Sequence, residues 1–500
     1  MACLLLGALG GVPVAAPAAE QAPVPVTVMS RNLYLGADVG EALERLPDMP
    51  AAAQFMWDQV HATDFPGRAP ALAAEAARER PEVIALQEAT TWRCSTGLTG
   101  DSEVVFDFTR DFLAATRAAG VPYVLAEAGG RQALNPGYSI GPIPGLTTVR
   151  DPATFRPLFG SDTADCGFEI ADALVVRADL AASVRAVGTA EYGDRYAVVP
   201  LLFEIDRGFA WADVEIDGAL IRFAATHLES MWAPGSTVVG AAQARQLIAD
   251  LQPTALPLVV IGDLNADPRD PRPSGAPNPG GQPDATTACE PQAARPVSED
   301  ARAECNAYWA MVQSGYTDAG PDPQDPANYT WGASALLAGP DLERLDPALA
   351  LGNRYGFTDR LDYAFVRNGV EVVEARVFGD VWPAAEDVWE CNAPAQVANT
   401  EAASAALAAA GDGEAVTDRG VCLPTDHAGL LVRLEVTPPT ADVAAGAAAT
   451  APADHVPAVA PRTLGYLVVA FVLLNVVGAI VAVVWLAAAA LRRRRRAAVG

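Results

Sequence analysis

Polar side chains interrupt several apolar runs of the sequence at the point where each run ends. The four clearest cases are Asn32 after VTVMSR, Glu88 after VIALQ, His227 after LIRFAAT and Asp263 after LPLVVIG. Carboxylate, amide and imidazole groups can move a proton, orient water or bind a hard cation. Because ligand sites of α/β folds form at the C-terminal ends of strands, we expect these side chains to share one site.

Two further positions extend this set. Asn265 lies two residues after Asp263, and in an extended chain both side chains point to the same side. Asp362 lies inside the apolar segment RLDYAFV. Each residue alone is explained more simply as a turn former, a solvated carboxylate or a hydrogen-bonded histidine. Their joint occurrence in this order is much harder to explain by turn chemistry.

Asp426 and His427 stand side by side at the start of the last apolar run, HAGLLVRLEV. Consecutive residues of a regular strand point to opposite faces, so a regular strand cannot aim both at one site. Pro424 fixes its own φ and restricts Leu423, which favours a turn just before the strand. We therefore predict an irregular backbone at Thr425–His427.

Six segments carry these residues: SRNLYLGAD (30–38), PEVIALQE (81–88), ATHLE (225–229), VVIGDLN (259–265), DRLDYAFV (359–366) and PTDHAG (424–429). In this order they resemble the endonuclease/exonuclease/phosphatase superfamily of metal-dependent phosphoesterases. RNLYLGAD looks like its secreted bacterial branch, and GDLN differs from the more usual GDFN by one apolar exchange. The resemblance implies a deoxyribonuclease-like four-layer α/β/β/α sandwich of two mixed sheets, in which water attacks a phosphoester with the help of a divalent ion.

The resemblance also implies a metal site and a proton-transfer pair. Glu88 would bind Mg²⁺ (or Mn²⁺), with Asn32 and Asp426 close by, and oxygen ligands suit such a hard cation. Asp362 would fix the tautomer of His427, so that the imidazole accepts a proton from water or supports the phosphorane.

Phosphate contacts are implied for the remaining residues. Asp263 and Asn265 would orient the nucleophile and the phosphate, and His227 would donate to a phosphate oxygen. The acidic partner that such a histidine has in the superfamily is open here. Glu169 and Asp172 are the candidates, although salt bridging or surface solvation is the simpler interpretation of both.

Composition sets limits on the class of protein. The 500 residues are 51% hydrophobic and 19% charged, which excludes a mostly disordered chain. The formal net charge is −27, and the sequence contains Arg but no Lys. Such a charge disfavours binding to long DNA duplexes, because affinity for nucleic acid comes largely from phosphate neutralisation. The arginines that stand near the motifs or between them are scattered: Arg31, Arg93, Arg131, Arg150, Arg354 and Arg360.

Both ends of the chain predict targeting. Residues 1–18 are apolar and close with Ala16-Pro17-Ala18, as a signal peptide does, although they lack a positive start. Residues 464–491 carry no charge, and as a helix they would exceed the ~30 Å of a bilayer core. The arginines in 492–500 favour a cytoplasmic tail, which places the catalytic domain outside the cell on a single-pass anchor.

Between these ends, residues 24–436 alternate β-branched runs with Ala/Leu/Arg-rich stretches and predict one α/β domain. Helices are expected at Arg68–Arg80, Val105–Ala119, Gly240–Leu251 and Ala301–Ser314. Asp267–Pro296 and Asn392–Asp418 look like loose surface insertions. Residues 437–463 are rich in Pro and Ala and predict a stalk.

Cysteine usage fits an exported domain. Cys3 lies in the predicted signal peptide, which leaves an even six for an oxidising compartment. Pairing neighbours along the sequence gives the expectation Cys94–Cys166, Cys289–Cys305 and Cys391–Cys422. A thiolate zinc site is disfavoured, because no CxxC or Cys/His cluster is present.

Three functions therefore stay open. The leading one is a membrane-anchored extracellular Mg²⁺-dependent phosphoesterase that cuts phosphodiesters of nucleic acid or of a lipid headgroup. A phospholipid or sphingomyelin phosphodiesterase, or a phosphomonoesterase, is the second. A non-catalytic surface binding module on the same fold is the third. The sequence implies no protein partner.

Overall fold

Two mixed β-sheets lie face to face in the computed structural model, which describes residues 22–97, 102–199, 203–230, 236–270, 302–383, 388–411 and 420–454. The strands are β1 (Val24–Asn32), β2 (Val83–Gln87), β3 (Thr91–Ser95), β4 (Glu103–Asp107), β5 (Tyr123–Leu125), β6 (Glu127–Ala128), β7 (Arg131–Gln132), β8 (Leu134–Ile140), β9 (Thr148–Arg150), β10 (Thr163–Arg177), β11 (Val184–Glu191), β12 (Tyr196–Val199), β13 (Phe203–Ile205), β14 (Gly208–Ile216), β15 (Ala219–His227), β16 (Leu258–Asp263), β17 (Thr317–Asp318), β18 (Asp362–Arg367), β19 (Val370–Phe378), β20 (Trp389–Cys391), β21 (Gly420–Cys422) and β22 (Gly429–Val436).

The first sheet has the order β19-β22-β1-β2-β10-β3-β4, and β5, β8 and β9 also pair with β10. The second sheet has the order β11-β14-β15-β16-β18-β17. The other strands form the two-stranded ribbons β6-β7, β12-β13 and β20-β21. Within the described residues, the α-helices are α1 (Val39–Leu43), α2 (Met49–Thr63), α3 (Phe65–Glu79), α4 (Phe108–Ala118), α5 (Pro152–Phe159), α6 (Ser236–Leu251), α7 (Ala307–Gln313), α8 (Leu342–Leu351), α9 (Pro394–Ala409) and α10 (Ala441–Ala445).

Three apolar clusters separate the layers. Val28 and Leu174 of the first sheet pack with Phe223 of the second in a buried cluster between the sheets. Helices α2, α3 and α4 cover the outer face of the first sheet through residues such as Leu72. Helices α6 and α7 cover the outer face of the second sheet through residues such as Met311. The predicted α/β class with two mixed sheets is confirmed.

The strand register places polar residues in rows across each sheet. In the second sheet, His227 of β15 lies opposite Asp263 of β16, which lies opposite Asp362 of β18. In the first sheet, Asn32 of β1 lies opposite Gln87 of β2. Each row lies at the end of its sheet where strands terminate. Because the two sheets pack face to face, the two rows come together there.

A tight hairpin fixes which strand ends meet at this edge. Asp217 and Gly218 join β14 to β15 with φ values of 46° and 87°, the backbone that Asp-Gly favours in two-residue turns. The start of β14 therefore lies beside the end of β15, which carries His227.

Several helix ends differ from those that the sequence predicted. Helix α6 contains the expected stretch Gly240–Leu251, and α3 contains the other stretch up to Glu79, since Arg80 is its left-handed C-cap. Val105, by contrast, lies in β4. Helix α4 begins at Phe108 because the Asp107 side chain accepts from Arg110 N and caps the helix there. Helix α7 likewise begins after Asn306, whose side chain caps it. The expected Ala301–Ser314 helix was therefore too long within the described part.

Two segments that we expected to be loose are ordered in part. Residues 394–409 of the supposed insertion Asn392–Asp418 form α9, which starts at Pro394 and buries Ala403 and Leu407. Small alanine side chains let this helix pack closely although its apolar periodicity is weak. Of the insertion Asp267–Pro296, Asp267 is fully buried, and residues 271–296 lie outside the described residues.

The supposed stalk 437–463 does not begin at residue 437. Helix α10 lies in it, Arg222 donates to the carbonyl oxygens of Ala447 and Thr450, and Arg131 forms an ion pair with Asp454 at 2.8 Å. These contacts use backbone carbonyls and one carboxylate, so a segment poor in large apolar side chains can still join the domain. Residues 455–463 lie outside the described residues.

Two expected disulfides are confirmed. Cys94–Cys166 joins β3 to β10, and Cys391–Cys422 joins β20 to β21. Cys289 of the third expected pair lies outside the described residues, as do the predicted signal peptide, 1–18, the membrane span, 464–491, and the tail, 492–500. Among the helices that the structure describes, none combines the length and apolar character needed to cross a bilayer.

Candidate active site

The carboxylate of Asp263 lies at the centre of the polar cluster. Its Oδ2 is 3.3 Å from Nδ2 of Asn32, 3.5 Å from Nε2 of His227 and 3.6 Å from Nε2 of His427. Its Oδ1 accepts from the backbone N of Asn265 at 2.8 Å. Side chains from both sheets therefore converge on one carboxyl group, which is 1% exposed.

His427 stands between two carboxylates. Its Nδ1 lies 2.8 Å from Oδ2 of Asp362, and its Nε2 faces Asp263. As predicted, residues 424–426 form bends and His427 lies outside regular strand pairing, in an isolated bridge with Trp331. This irregular backbone lets the neighbouring Asp426 share the buried site.

Buried acidic groups control the charge of His427. Burial alone would lower the pKa of His427, but Asp362, Asp426 and Asp263 raise it to about 10. Burial raises the pKa of Asp263 to about 7, although the His427 charge lowers it. The neighbouring acids therefore favour the protonated imidazole of His427, and burial favours the neutral form of Asp263.

Glu88 and Asp426 form a second acidic pair beside this cluster. Burial raises the pKa of Glu88 and so does the charge of Asp426, whereas a hydrogen bond from Leu35 N to Glu88 Oε2, 2.6 Å long, lowers it. The pKa of Asp426 is also raised by burial. Both side chains are half-buried, and two repelling carboxylates removed in part from solvent are costly unless a cation offsets their charge.

The donor set fits a hard divalent cation. Glu88 and Asp426 supply carboxylate oxygens, and Oδ1 of Asn32 accepts from Tyr34 N at 2.8 Å with a second lone pair to spare. Asp263, Asp362 and His427 form an alternative set, whose ligand atoms lie within 4.8 Å of one another. We favour the first set, because both ring nitrogens of His427 already face carboxylates.

The residues around this edge have unusual backbone conformations. Tyr34, Glu88 and Asn265 have φ values of 55°, 54° and 49°. A non-glycine residue in the left-handed region costs about 1 kcal/mol or more. Asn265 therefore reaches Asp263 through a strained turn and not through strand alternation, and its Nδ2 donates to Leu228 O at 2.9 Å.

His227 stays neutral at this site. Burial lowers its pKa well below 6.5, and the charges of Arg207 and His427 act in the same direction. Its Nδ1 is buried without a hydrogen-bond partner among the described residues. Of the two candidate partners, Asp172 is buried and accepts a hydrogen bond from the backbone of His227, whereas Glu169 is exposed on β10.

Comparison with known proteins identifies the family of the chain. The model of the endonuclease/exonuclease/phosphatase family matches residues 55–427. The chain belongs to this family. Family members are phosphoester hydrolases.

Solved structures of the family are similar to the chain at low identity. A family protein from Beutenbergia cavernae is 14% identical with a TM-score of 0.41, and the match covers 82% of this chain and 72% of that one. A family protein from Bacteroides thetaiotaomicron is 13% identical with a TM-score of 0.39, and the match covers 83% of this chain and 98% of that one. A mannosyl-6-phosphatase from the same species is 13% identical with a TM-score of 0.37, and the match covers 82% of this chain and 99% of that one. No curated protein matches the chain.

The structure adds arginines to this family member's site that sequence reasoning missed. Arg207 immediately precedes β14, and its charge acts on Glu88, Asp172 and His227. The sequence signal that could have identified Arg207 was the Asp217-Gly218 turn, because this turn places the start of β14 beside His227 at the end of β15.

Arg68 is the second missed arginine. It is fully buried and donates to the carbonyl oxygens of Leu33 and Pro424 at 2.6 Å and of Tyr34 at 2.7 Å. It therefore ties the loop after Asn32 to the loop before Asp426. No sequence pattern identifies a side chain whose partners are backbone carbonyls.

Proposed function

We propose that this family member is a divalent-metal-dependent phosphodiesterase whose reaction centre is the Asp263 carboxylate. The supporting observation is that Asp263 Oδ2 lies within 3.6 Å of side-chain nitrogens of Asn32, His227 and His427, while Asp362 holds His427 at 2.8 Å. A cluster held only for stability would not need so many buried titratable groups around one oxygen.

Asp263 and His427 divide the proton chemistry between them. Asp263, with a pKa raised to about 7, accepts the proton of the attacking water, since a general base works best near the operating pH. His427, kept protonated by Asp362, stabilises negative charge that grows on the phosphate oxygens. Asn265 holds Asp263 in place through its backbone N–H.

Glu88, Asp426 and Asn32 would hold Mg²⁺ or Mn²⁺. When bound, such an ion supplies electrostatic stabilisation of the phosphoryl group. His227 donates a neutral hydrogen bond to a phosphate oxygen, and Asp172 positions the backbone of His227. Arg207 supplies a positive charge on the same side, which partly offsets the strongly acidic character of the chain.

The proposed location is the outer face of a cell membrane. Residues 1–18 would direct export, residues 464–491 would anchor the domain, and residues 492–500 would stay in the cytoplasm. Two disulfides among the described residues support a compartment that is oxidising.

Chelation tests the metal dependence. Hydrolysis of bis-p-nitrophenyl phosphate by the purified full-length protein should stop in EDTA and return with Mg²⁺ or Mn²⁺. Glu88→Gln should raise the metal concentration for half-maximal activity by at least about tenfold, since it removes a charged ligand. Glu44→Gln, on an exposed position, is the control. Activity that is unchanged in EDTA would refute the metal dependence. Hydrolysis of p-nitrophenyl phosphate without hydrolysis of the diester would indicate a monoesterase.

A further inference from the structure

Trp331 forms a wall of the site beside His427. Its backbone pairs with both His427 and Asp359 through isolated bridges, and its ring centroid lies 6.4 Å from that of His427. Trp331 N donates to Asp359 O at 3.0 Å, and Thr358 N donates to Trp331 O at 2.8 Å. These bonds fix the backbone of Trp331, whose side chain is half-buried. A partly exposed aromatic surface on a fixed backbone, next to His427, is suited to contact a substrate.

Arg344 of α8 covers this ring. Its guanidinium carbon lies 3.6 Å from the ring centroid, a close cation–π contact. The side chain is only 11% exposed, and its Nη1 is buried without a hydrogen-bond partner among the described residues. Burial lowers the pKa of Arg344, while Asp359, Asp341, Asp38 and Asp426 raise it. The charge of Arg344 therefore reaches the site at Asp426.

The carboxylates nearest to Arg344 are already engaged. Asp341 caps α8 by accepting from Glu343 N at 2.9 Å, and its contact with Nε of Arg344 is long, 3.5 Å. Asp359 accepts from the Thr358 hydroxyl at 2.7 Å. Neither carboxylate thus accepts a hydrogen bond from the buried Nη1 of Arg344. An unmade hydrogen bond of a charged group is costly. An anionic ligand would satisfy it.

We propose that Arg344 and Trp331 form a subsite for a second phosphate group of the substrate. This inference rests on the proposed phosphodiesterase function, because the scissile phosphate occupies the Asp263 cluster. Arg207 precedes β14 beside the end of β15, whereas Arg344 stacks on Trp331 beside His427, so two different elements bring arginines to the neighbourhood of the site. A planar guanidinium stacked on an indole is pre-organised to bind phosphate oxygens in pairs. The substrate is therefore a phosphodiester whose attached group carries another phosphate, as a nucleotide or a phosphorylated inositol headgroup does.

Steady-state kinetics with a matched substrate pair tests the subsite. The pair is p-nitrophenyl thymidine 5′-phosphate with and without a 3′-phosphate, and glycerophosphoinositol with and without a 4-phosphate forms a second pair. Arg344→Ala should raise KM by about tenfold or more for the member of a pair that carries the extra phosphate. Its kcat, and both constants for the other member, should stay within about twofold. Arg344→Lys should restore KM only in part. The pair that responds identifies the source of the phosphate.

Arg354→Ala is the control, because Arg354 stacks on Tyr355 from an exposed position of the same segment and its loss removes the same charge. Equal effects of Arg344→Ala on both members of each pair, or an equal effect of Arg354→Ala, would overturn the subsite. If the wild type turns over none of the substrates, the phosphodiesterase proposal fails by itself. In that case, calorimetry of the binding of thymidine 3′,5′-bisphosphate and of thymidine 5′-phosphate tests the subsite. The subsite requires that Arg344→Ala weaken the binding of the bisphosphate and leave the binding of the monophosphate unchanged.

Discussion

Two histidine–carboxylate pairs lie in different regions of this molecule and have opposite properties. His427 and Asp362 meet at 2.8 Å in the buried edge between the sheets. His61 of α2 and Asp151, the cap of α5, meet at 3.3 Å on the outer face, where the His61 side chain is 36% exposed. The pKa of His427 is raised to about 10, whereas that of His61 is lowered.

The difference lies in the surroundings of each carboxylate. Asp151 also accepts from Trp57 Nε1 at 3.2 Å and from the backbone N of Ala153 and Thr154. Burial against Trp57 and Phe106 lowers the pKa of His61 more than Asp151 raises it. Around His427, three carboxylates compete for one imidazole. Direct contact with two buried carboxylates therefore distinguishes His427 from His61, which contacts Asp151 among the described residues.

The largest effect is expected from amide substitution in the buried pair. Asp362→Asn keeps the shape but removes the charge that orients and protonates His427, so kcat/KM should fall about 10³-fold or more. Asp151→Asn should change it less than twofold, because Asn also caps helices. Hydrolysis of bis-p-nitrophenyl phosphate at saturating Mg²⁺ measures both. Similar losses in the two variants would show that the pairs do not differ in function.

Stability should also distinguish the two regions. Arg68→Met leaves the buried carbonyls of Leu33, Tyr34 and Pro424 without their donor, so it should lower the free energy of unfolding by about 3–5 kcal/mol. Arg45→Met is the control on the exposed face, where Arg45 contacts Glu41 and Phe55, and should cost less than about 1 kcal/mol. Urea denaturation followed by circular dichroism tests this, and equal costs would remove Arg68 from its tethering role.

The smallest effect is expected from the pH response of the outer pair. The pKa of His61 lies below 6.5 in the folded state, so the unfolded chain takes up its proton first as the pH falls. The contribution of His61 to stability is thus complete above about pH 6.5 and is lost as the pH falls through the lowered pKa. His61→Gln should reduce the fall in Tm between pH 7 and pH 5.5 by about 1 °C or less. A steeper fall in the variant would contradict the sign.

The sequence predicted the strand-end cluster because those residues stand at visible boundaries between apolar and polar segments. His227, Asp263 and Asp362 stand opposite one another in register, and Pro424 correctly indicated the irregular backbone at His427. The pairing of strands that are distant in sequence cannot be read from a boundary. For this reason the Arg207 side of the site was missed.

Arg68 and Arg344 illustrate a second limit. Arg68 binds backbone carbonyls and Arg344 covers an indole ring, and neither kind of partner leaves a pattern in the sequence. Composition also misjudged residues 437–454 and α9, because alanine-rich segments can pack through backbone groups and small side chains. Burial of backbone, unlike burial of large apolar side chains, has no compositional signal.

Replacement of each paired histidine by alanine compares the two regions most directly. His427→Ala should reduce kcat/KM for bis-p-nitrophenyl phosphate at least about 10³-fold while circular dichroism and metal binding by calorimetry stay near wild type. His61→Ala should stay within twofold of the wild type. Comparable turnover by His427→Ala and wild type would contradict the assignment of the Asp263 cluster as the reaction centre.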